Sequence, residues 1–569
     1  MFSLRIYLFC IVLICVVNEI VADQYKIVET LDGKVRGIQK LTLLNNVTFH
    51  SFKGIPYAKQ PIGDLRFKAP EPAESWSPII RDAFEHSAIC IQPRIYTEPF
   101  TKSENCLTLN IYVPSVFSHY HHYYYNLDNV KPGEKLSVLF FVHGGGFMDG
   151  SGDEYFYGPD FIVEKGIILV TINYRLGPLG FLSFDTPEYS GNMGLKDQRL
   201  ALKWISLNID RFGGDYKRIT ICGQSAGGAS IHFHMLSTES RKYFNNAISM
   251  SGVVDNYWAL SESNNHLEIA HKIANDFDGP KNSTDELIAF LKTIPADEFI
   301  SYSHLITSTR LIDIPFKPII ERSDAIEPFM IESLEIMYDT TTFDFDVLFT
   351  MVSKELLGYL FLFPPLKNLL ADFNFPLPFR GLDISPNSEE HHQLMSIIQK
   401  FYFGDGATEN QTVNYVDLLS DTNFGYAIDK IVKLHASKSR GKTYYSCSEL
   451  VNVSAASHED ELFYLFRRGQ AQPILSEIIN NSLDKESKVC LQTIDYITKI
   501  ISNFVKYGEP SYQNDLIRSF QPVQNGSVHF LDINNDGLKI GLRPNEKAFD
   551  FWAYIEQQAR QISTNMKKN

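Results

Sequence analysis

A serine set between small residues limits how this chain can fold. Gly223-Gln224-Ser225-Ala226-Gly227 follows a short apolar run, Ile219 to Cys222, and leads into Ala229-Ser230-Ile231-His232, which can continue as a helix. A serine raised above a sheet needs a sharp strand-to-helix turn. Small residues two before and two after it let the backbone close that turn without clashes. A Gly-rich structural turn without chemistry is the plain alternative. Further short apolar runs at Leu136 to Val142, Ile167 to Ile172, Ala247 to Met250 and Val347 to Val352 have the pattern of buried strands. Ala201, Trp204, Ile205, Ile209 and Phe212 fall on one face of a helix, which Gly213-Gly214 ends. Strands alternating with such helices predict a parallel-rich sheet covered on both faces. No Pro-, Gly- or Ser-rich linker separates autonomous halves, which favours one large domain.

An exposed serine is a poor nucleophile without a base and a site for an oxyanion. His143-Gly144-Gly145-Gly146-Phe147 follows the run ending at Val142. Three glycines clear side chains from a loop whose amides must face a carbonyl, so Gly145, Gly146 and Ala226 can aim three N–H groups at one oxygen. A phosphate-cradling loop is the rival, but no Gly-Lys-Ser/Thr ending follows. The base is expected late in the chain, with the acid between it and the serine. Of sixteen histidines, His458 is best placed, after an expected strand from Lys442 to Leu450 and the small residues Ser454-Ala455-Ala456-Ser457. His435 reads as a helix-surface residue, and His391 and His392 lie in a polar segment. Glu355 stands just past the run Val347 to Val352 and can orient an imidazole. Asp344 and Asp346 precede that run, which places them at the opposite edge of the sheet.

Composition excludes several classes. Of 569 residues, 44% are hydrophobic and 21% charged, as in a globular protein rather than a disordered chain. A net charge of −15 argues against a nucleic-acid partner, which requires concentrated Lys and Arg. Met1 to Ala22, with Arg5, an apolar run from Ile6 to Val17 and small Ala22, reads as a secretory signal, leaving 23–569 as a single mature domain. No other stretch reaches the roughly 18 apolar residues of a membrane span, and Asn565 to Asn569 form neither an anchor tail nor a retention signal. The expectation is a secreted, extracellular protein with no membrane anchor. Sequons at Asn46, Asn282, Asn410, Asn452, Asn480 and Asn525 are glycosylation candidates. Seven cysteines become five once Cys10 and Cys15 leave with the signal, and an oxidising compartment permits disulfides. Ser118 to Tyr125, rich in His and Tyr, lacks the Cys or carboxylate spacing of a metal site and reads as a solvated loop. Asp532 to Gly537 mimics the start of a calcium loop, but Arg543 stands where the bidentate Glu is required, so a hairpin turn is expected.

With these residues in place, the chain resembles the type-B carboxylesterases, the cholinesterase-like esterases. The likeness runs from about Val35 to Phe551-Trp552 and includes Phe52-Lys53-Gly54-Ile55-Pro56-Tyr57-Ala58, Leu65-Arg66-Phe67 and Glu104-Asn105-Cys106-Leu107. Farther along come Asn173-Tyr174-Arg175-Leu176-Gly177, Gly194-Leu195-Lys196-Asp197-Gln198 and Phe212-Gly213-Gly214-Asp215. The resemblance implies the α/β-hydrolase fold, with a large, mostly parallel central sheet flanked by helices and an active-site gorge. The order Ser225, Glu355, His458 is that of the fold family. The resemblance implies Ser225 as nucleophile, His458 as general base and acid, Glu355 as its partner, and Gly145, Gly146 and Ala226 as oxyanion donors. It also implies a disulfide between Cys90 and Cys106 and a structural ion pair between Arg66 and Glu104. No metal and no organic cofactor is implied. The remaining cysteines divide differently: Cys222 reads as a buried free thiol, while Cys447 and Cys490 stay open between a second bridge and two thiols.

Three positions depart from the family pattern. Ala455 and Leu356 stand where many relatives carry glycine, and Gln224 stands where cholinesterases carry glutamate. Gln224 resembles the juvenile-hormone esterases of insects. Cholinesterases hold a quaternary ammonium on a tryptophan in the first disulfide loop, and Ile91 to Asn105 contain none, which argues against choline esters. The expected function is therefore a secreted serine carboxylesterase acting on small hydrophobic esters through an acyl-enzyme. Two alternatives stand beside it: a slow-turnover esterase that sequesters a hydrophobic ligand or toxin, and a non-catalytic adhesion-type relative.

Overall fold

The computed structural model describes residues 24–93, 100–115, 134–261, 266–280, 283–303, 314–358, 375–382, 384–404, 411–449, 456–469, 485–511, 517–518, 520–524, 526–534 and 536–567. The signal segment, Ser118 to Tyr125, Ala455 and the sequons at Asn282, Asn410, Asn452, Asn480 and Asn525 lie outside these residues. Asn46 lies within them and is exposed.

The N-terminal strands are β1 (Tyr25–Glu29), β2 (Lys34–Leu41), β3 (Thr48–Pro56), β4 (Ile80–Asp82), β5 (Ile89–Cys90), β6 (Lys102–Ser103) and β7 (Thr108–Pro114). They are followed by β8 (Leu136–Val142), β9 (Ile168–Ile172), β10 (Gly214–Gln224), β11 (Asn246–Met250), β12 (Asp346–Val352) and β13 (Thr443–Glu449). A final pair, β14 (His529–Asn534) and β15 (Gly537–Leu542), forms the expected hairpin. Among the described residues, one sheet runs β1–β2–β3–β7–β9–β8–β10–β11–β12–β13–β14–β15, with β4 paired to β2. Every pairing from β9 through β14 is parallel. Along this path both ends are antiparallel, although the short β4 joins β2 in parallel, so the sheet is mixed and the expected parallel character belongs mainly to its centre. β1, β2 and β3 follow one another through short turns rather than helices, and alternation with helices therefore gives no sign of them.

Successive side chains of the central strands leave by opposite faces. Ile221, Ala247, Val347 and Phe349 enter one core, while Cys222, Ile248, Leu348 and Tyr444 enter the other. Helices cover both faces: α1 (Met193–Asn208), α2 (Ala226–Leu236), α3 (Tyr426–Lys438), α4 (Asp460–Leu465) and α5 (Lys485–Tyr507) are the ones that bear on the site and its support. Along α1, Ala201, Trp204 and Ile205 are buried as their spacing predicts, and Gly213, at φ 87°, turns the chain from the following single turn into β10.

His435 corrects one expectation. It is not a surface residue: it is 0% exposed on α3, its ring centroid 4.0 Å from that of Phe343 and its Nε2 3.4 Å from Nε2 of His232. It continues the apolar stripe of Ile428, Ile431 and Val432, one helical turn on. Cys90 and Cys106 are joined by a disulfide, whereas Cys222, Cys447 and Cys490 are free, so the open second bridge is absent among the described residues. Arg66 holds Glu104 through two bonds of 2.7 and 2.6 Å and donates onward to the carbonyl of Ile294. Among the described residues, no helix is long and apolar enough to cross a membrane.

Candidate active site

Ser225 occupies the single position between the end of β10 and the start of α2, at φ 59° and ψ −123°. An L-residue holds such a backbone only when its surroundings over-determine it. The neighbouring glycines allow the close packing: a Cβ on Gly227 would stand 2.2 Å from the carbonyl oxygen of Val142, and one on Gly223 would stand 2.4 Å from that of Gly227. The Ser225 amide donates to the carbonyl of Met250 at 2.8 Å, anchoring the turn to β11.

The glycine loop after β8 lies directly against this turn. A Cβ on Gly144 would be 3.0 Å from Cβ of Ser225. Gly145 and Gly146 take φ values of 95° and 59°, which reorient consecutive peptide units where β-carbons would be strained. Ala226 is the first residue of α2, whose N–H has no partner within the helix. His143 is fixed behind the loop, stacked on Tyr174 at 4.3 Å, and burial pushes its pKa down to about 4. It therefore stays a neutral support at physiological pH.

Glu355 and His458 arrive from the neighbouring strands β12 and β13. Nδ1 of His458 lies 2.6 Å from Oε2 of Glu355, and the amide of Val352 donates to Oε1 at 3.1 Å. The two loops are also stitched through their backbones: Lys354 N–H donates to Ala456, and His458 N–H donates to Glu355. Leu356, in the place of the family's glycine, is buried in the core and donates its N–H to Ser420 Oγ at 3.2 Å, so this departure is absorbed by packing. Burial draws the pKa of His458 down, but the hydrogen bond and charge of Glu355, with Glu459 and Glu461, outweigh it and leave the net shift upward. An ionised carboxylate only accepts, so the proton of the neutral imidazole sits on Nδ1 and Nε2 is left as an acceptor.

The structure adds three contacts that sequence reasoning missed. Gln224, until now only a departure from a pattern, places Nε2 3.2 Å from Nε2 of His458. Phe424, in a wide helical turn between Asp421 and Gly425, covers the imidazole at a centroid distance of 4.8 Å. Asp460 accepts from the Ser457 amide at 2.7 Å, fixing the entry to α4; the Ser-x-x-Asp spacing carried that signal. The first two had none, being contacts between residues far apart in the chain.

Comparison with known proteins places this geometry. The model of the carboxylesterase family matches residues 24–552. The chain belongs to the carboxylesterase family. It is 30% identical to esterase B1 of Culex pipiens over 92% of this chain and 97% of that one. It is also 30% identical to juvenile hormone esterase of Tribolium castaneum, over 89% and 88% respectively. The crystal structure of juvenile hormone esterase from Manduca sexta, with OTFP covalently attached, superposes with a TM-score of 0.79 at 25% identity, covering 94% of this chain and 100% of that one. This carboxylesterase thus has the α/β-hydrolase fold and is a carboxylic ester hydrolase.

Proposed function

We propose that this carboxylesterase is exported after loss of residues 1–22, acts as one catalytic domain, and hydrolyses small hydrophobic esters through Ser225, His458 and Glu355 by way of an acyl-enzyme. The observation that carries the reading is the 2.6 Å bond from His458 to Glu355, with the same imidazole 3.2 Å from Gln224, the neighbour in chain of a serine on a strained strand-to-helix turn. Nε2 of His458 takes the proton of Ser225 Oγ as that oxygen attacks the ester carbonyl, and Glu355 stabilises the imidazolium. The oxyanion is received by the N–H groups of Gly145, Gly146 and Ala226. Collapse of the tetrahedral intermediate expels the alcohol, which takes the proton from Nε2. Water then enters, gives a proton to His458 Nε2 as its oxygen attacks the acyl carbon, and the acid is released when the Ser225 C–O bond breaks and Oγ takes that proton back from His458.

Support for a covalent route comes from the Manduca sexta juvenile hormone esterase, which has OTFP covalently attached. The disulfide supports an oxidising compartment. Hydrolysis of a simple aryl ester by wild type and Ser225→Ala tests the chemistry: the variant should lose at least about a thousand-fold in kcat/KM while melting like wild type. Equal rates would sink the proposal. Failure of the folded wild type to label with an organophosphate would favour the adhesion-type alternative. A stoichiometric burst followed by negligible turnover would favour sequestration.

A further inference from the structure

Gln224 is 1% exposed, and its carboxamide is divided between two environments. Because His458 donates from Nδ1 to Glu355, Nε2 of the neutral ring is an acceptor. The carboxamide nitrogen 3.2 Å away can only donate, so the resting contact is a Gln224 N–H to His458 Nε2 bond. The carboxamide oxygen is buried without a hydrogen-bond partner among the described residues. It lies against the glycine loop, where a Cβ on Gly144 would stand 2.9 Å from it. A buried acceptor left unpaired carries a desolvation penalty, and such groups call for an explanation.

We propose, resting on the reading of His458 as the base, that Gln224 is a positioning residue whose two carboxamide atoms serve the two protonation states of His458. In the resting enzyme the N–H holds the neutral ring in place, and it leaves Nε2 when bound ester turns Ser225 Oγ–H towards the same lone pair. When Ser225 Oγ gives its proton to Nε2, that nitrogen becomes a donor and faces another donor. A half turn about the terminal torsion of Gln224, which is soft, brings Oε1 round to accept from the imidazolium. The ring is then held at Nδ1 by Glu355 and at Nε2 by Gln224 until the proton passes to the leaving alkoxide. The oxygen without a partner is thus an acceptor in reserve. The titratable groups bearing on His458 are Glu355 beyond β12 and Glu459, Asp460 and Glu461 at the start of α4, of which Glu461 is held protonated up to about pH 8, while Gln224 from β10 and Phe424 contribute no charge.

The test is the pH dependence of kcat and KM for a short-chain p-nitrophenyl ester, measured on purified full-length wild type, Gln224→Glu and Gln224→Met. A carboxylate at 224 favours the imidazolium, so the acidic limb of Q224E should move up by about one pH unit. Q224M offers neither donor nor acceptor, and its kcat should fall about ten-fold with KM within about two-fold. Q224E should retain more kcat than Q224M above its own limb, because it can still accept from the imidazolium. A Q224M with wild-type kcat, or a Q224E whose acidic limb coincides with wild type, overturns the proposal. Should Q224M fail to fold, the limb of Q224E decides alone. Ser225→Ala in the same assay keeps the two readings apart: activity surviving there defeats the triad, whereas an unmoved Gln224 profile leaves the triad standing.

Discussion

Glu355 and Glu461 are two buried carboxyls within a few residues of His458 in space, and they answer to opposite rules. Glu355 has partners for both oxygens, and Glu355→Gln would keep a hydrogen bond to Nδ1 while removing the charge. We expect kcat/KM to fall by about a thousand-fold, with an unchanged melting curve and the acidic limb displaced to lower pH, since the imidazolium loses its counter-charge. Glu461 is 4% exposed and neither oxygen has a hydrogen-bond partner on another of the described residues, so burial, followed by the charge of Glu355, raises its pKa to about 8. A folded pKa above the unfolded one contributes stability that is present below the unfolded carboxyl value and is lost as pH rises through the folded one. Denaturant titrations should therefore show Glu461→Gln gaining on wild type by about 3 kcal/mol between pH 5 and pH 8. A gap that stays constant with pH would refute this. At this scale the sequence was most informative for Ser225, Glu355, His458 and the glycines, because each is tied to a local strand end or turn. It said nothing of Glu461, whose burial depends on how α4 docks.

The turn around Ser225 depends on elements approaching closer than side chains permit, and its glycines differ in what they tolerate. Gly227→Ala would push a methyl into the Val142 carbonyl at 2.2 Å, with backbone on both sides and nothing flexible to yield. A loss of about 3 kcal/mol in unfolding free energy is expected. Gly213, before β10, differs in having a left-handed φ, at 87°, but nothing lies within 4 Å of its Cβ position, so Gly213→Ala should cost only about 1 kcal/mol of backbone strain. Thermal melts of both variants check the ranking, and a reversed order would contradict the packing described. Element boundaries were largely legible for the central strands, where Leu136 to Val142 and Val347 to Val352 are apolar runs buried on both faces. His435 was misjudged because a titratable side chain suggests water, while its spacing from Ile428 and Val432 suggests core; spacing prevailed.

In the whole molecule, Ser225, Glu355 and His458 follow strands β10, β12 and β13 of one sheet, all parallel and so ending on the same side. Because the three share that sheet, esterase activity and tryptophan fluorescence should vanish in one urea transition. Activity lost at clearly lower urea would mean that the site-bearing loops melt ahead of the sheet. The central parallel block was readable from alternating strands and helices. The antiparallel ends were not, since hairpin-linked strands such as β1 and β2 offer no crossover helix to count. The stitching between the loops after β12 and β13 has a mechanical consequence. Lys354 bonded to Ala456, His458 to Glu355 and Gly358 to Ser457 tie the Glu355 and His458 loops into a single body, while Ser225 rides with β10. Under the proposed mechanism, any slack then collects at the joint between Ser225 and the His458 imidazole, a connection that each turnover has to open and close.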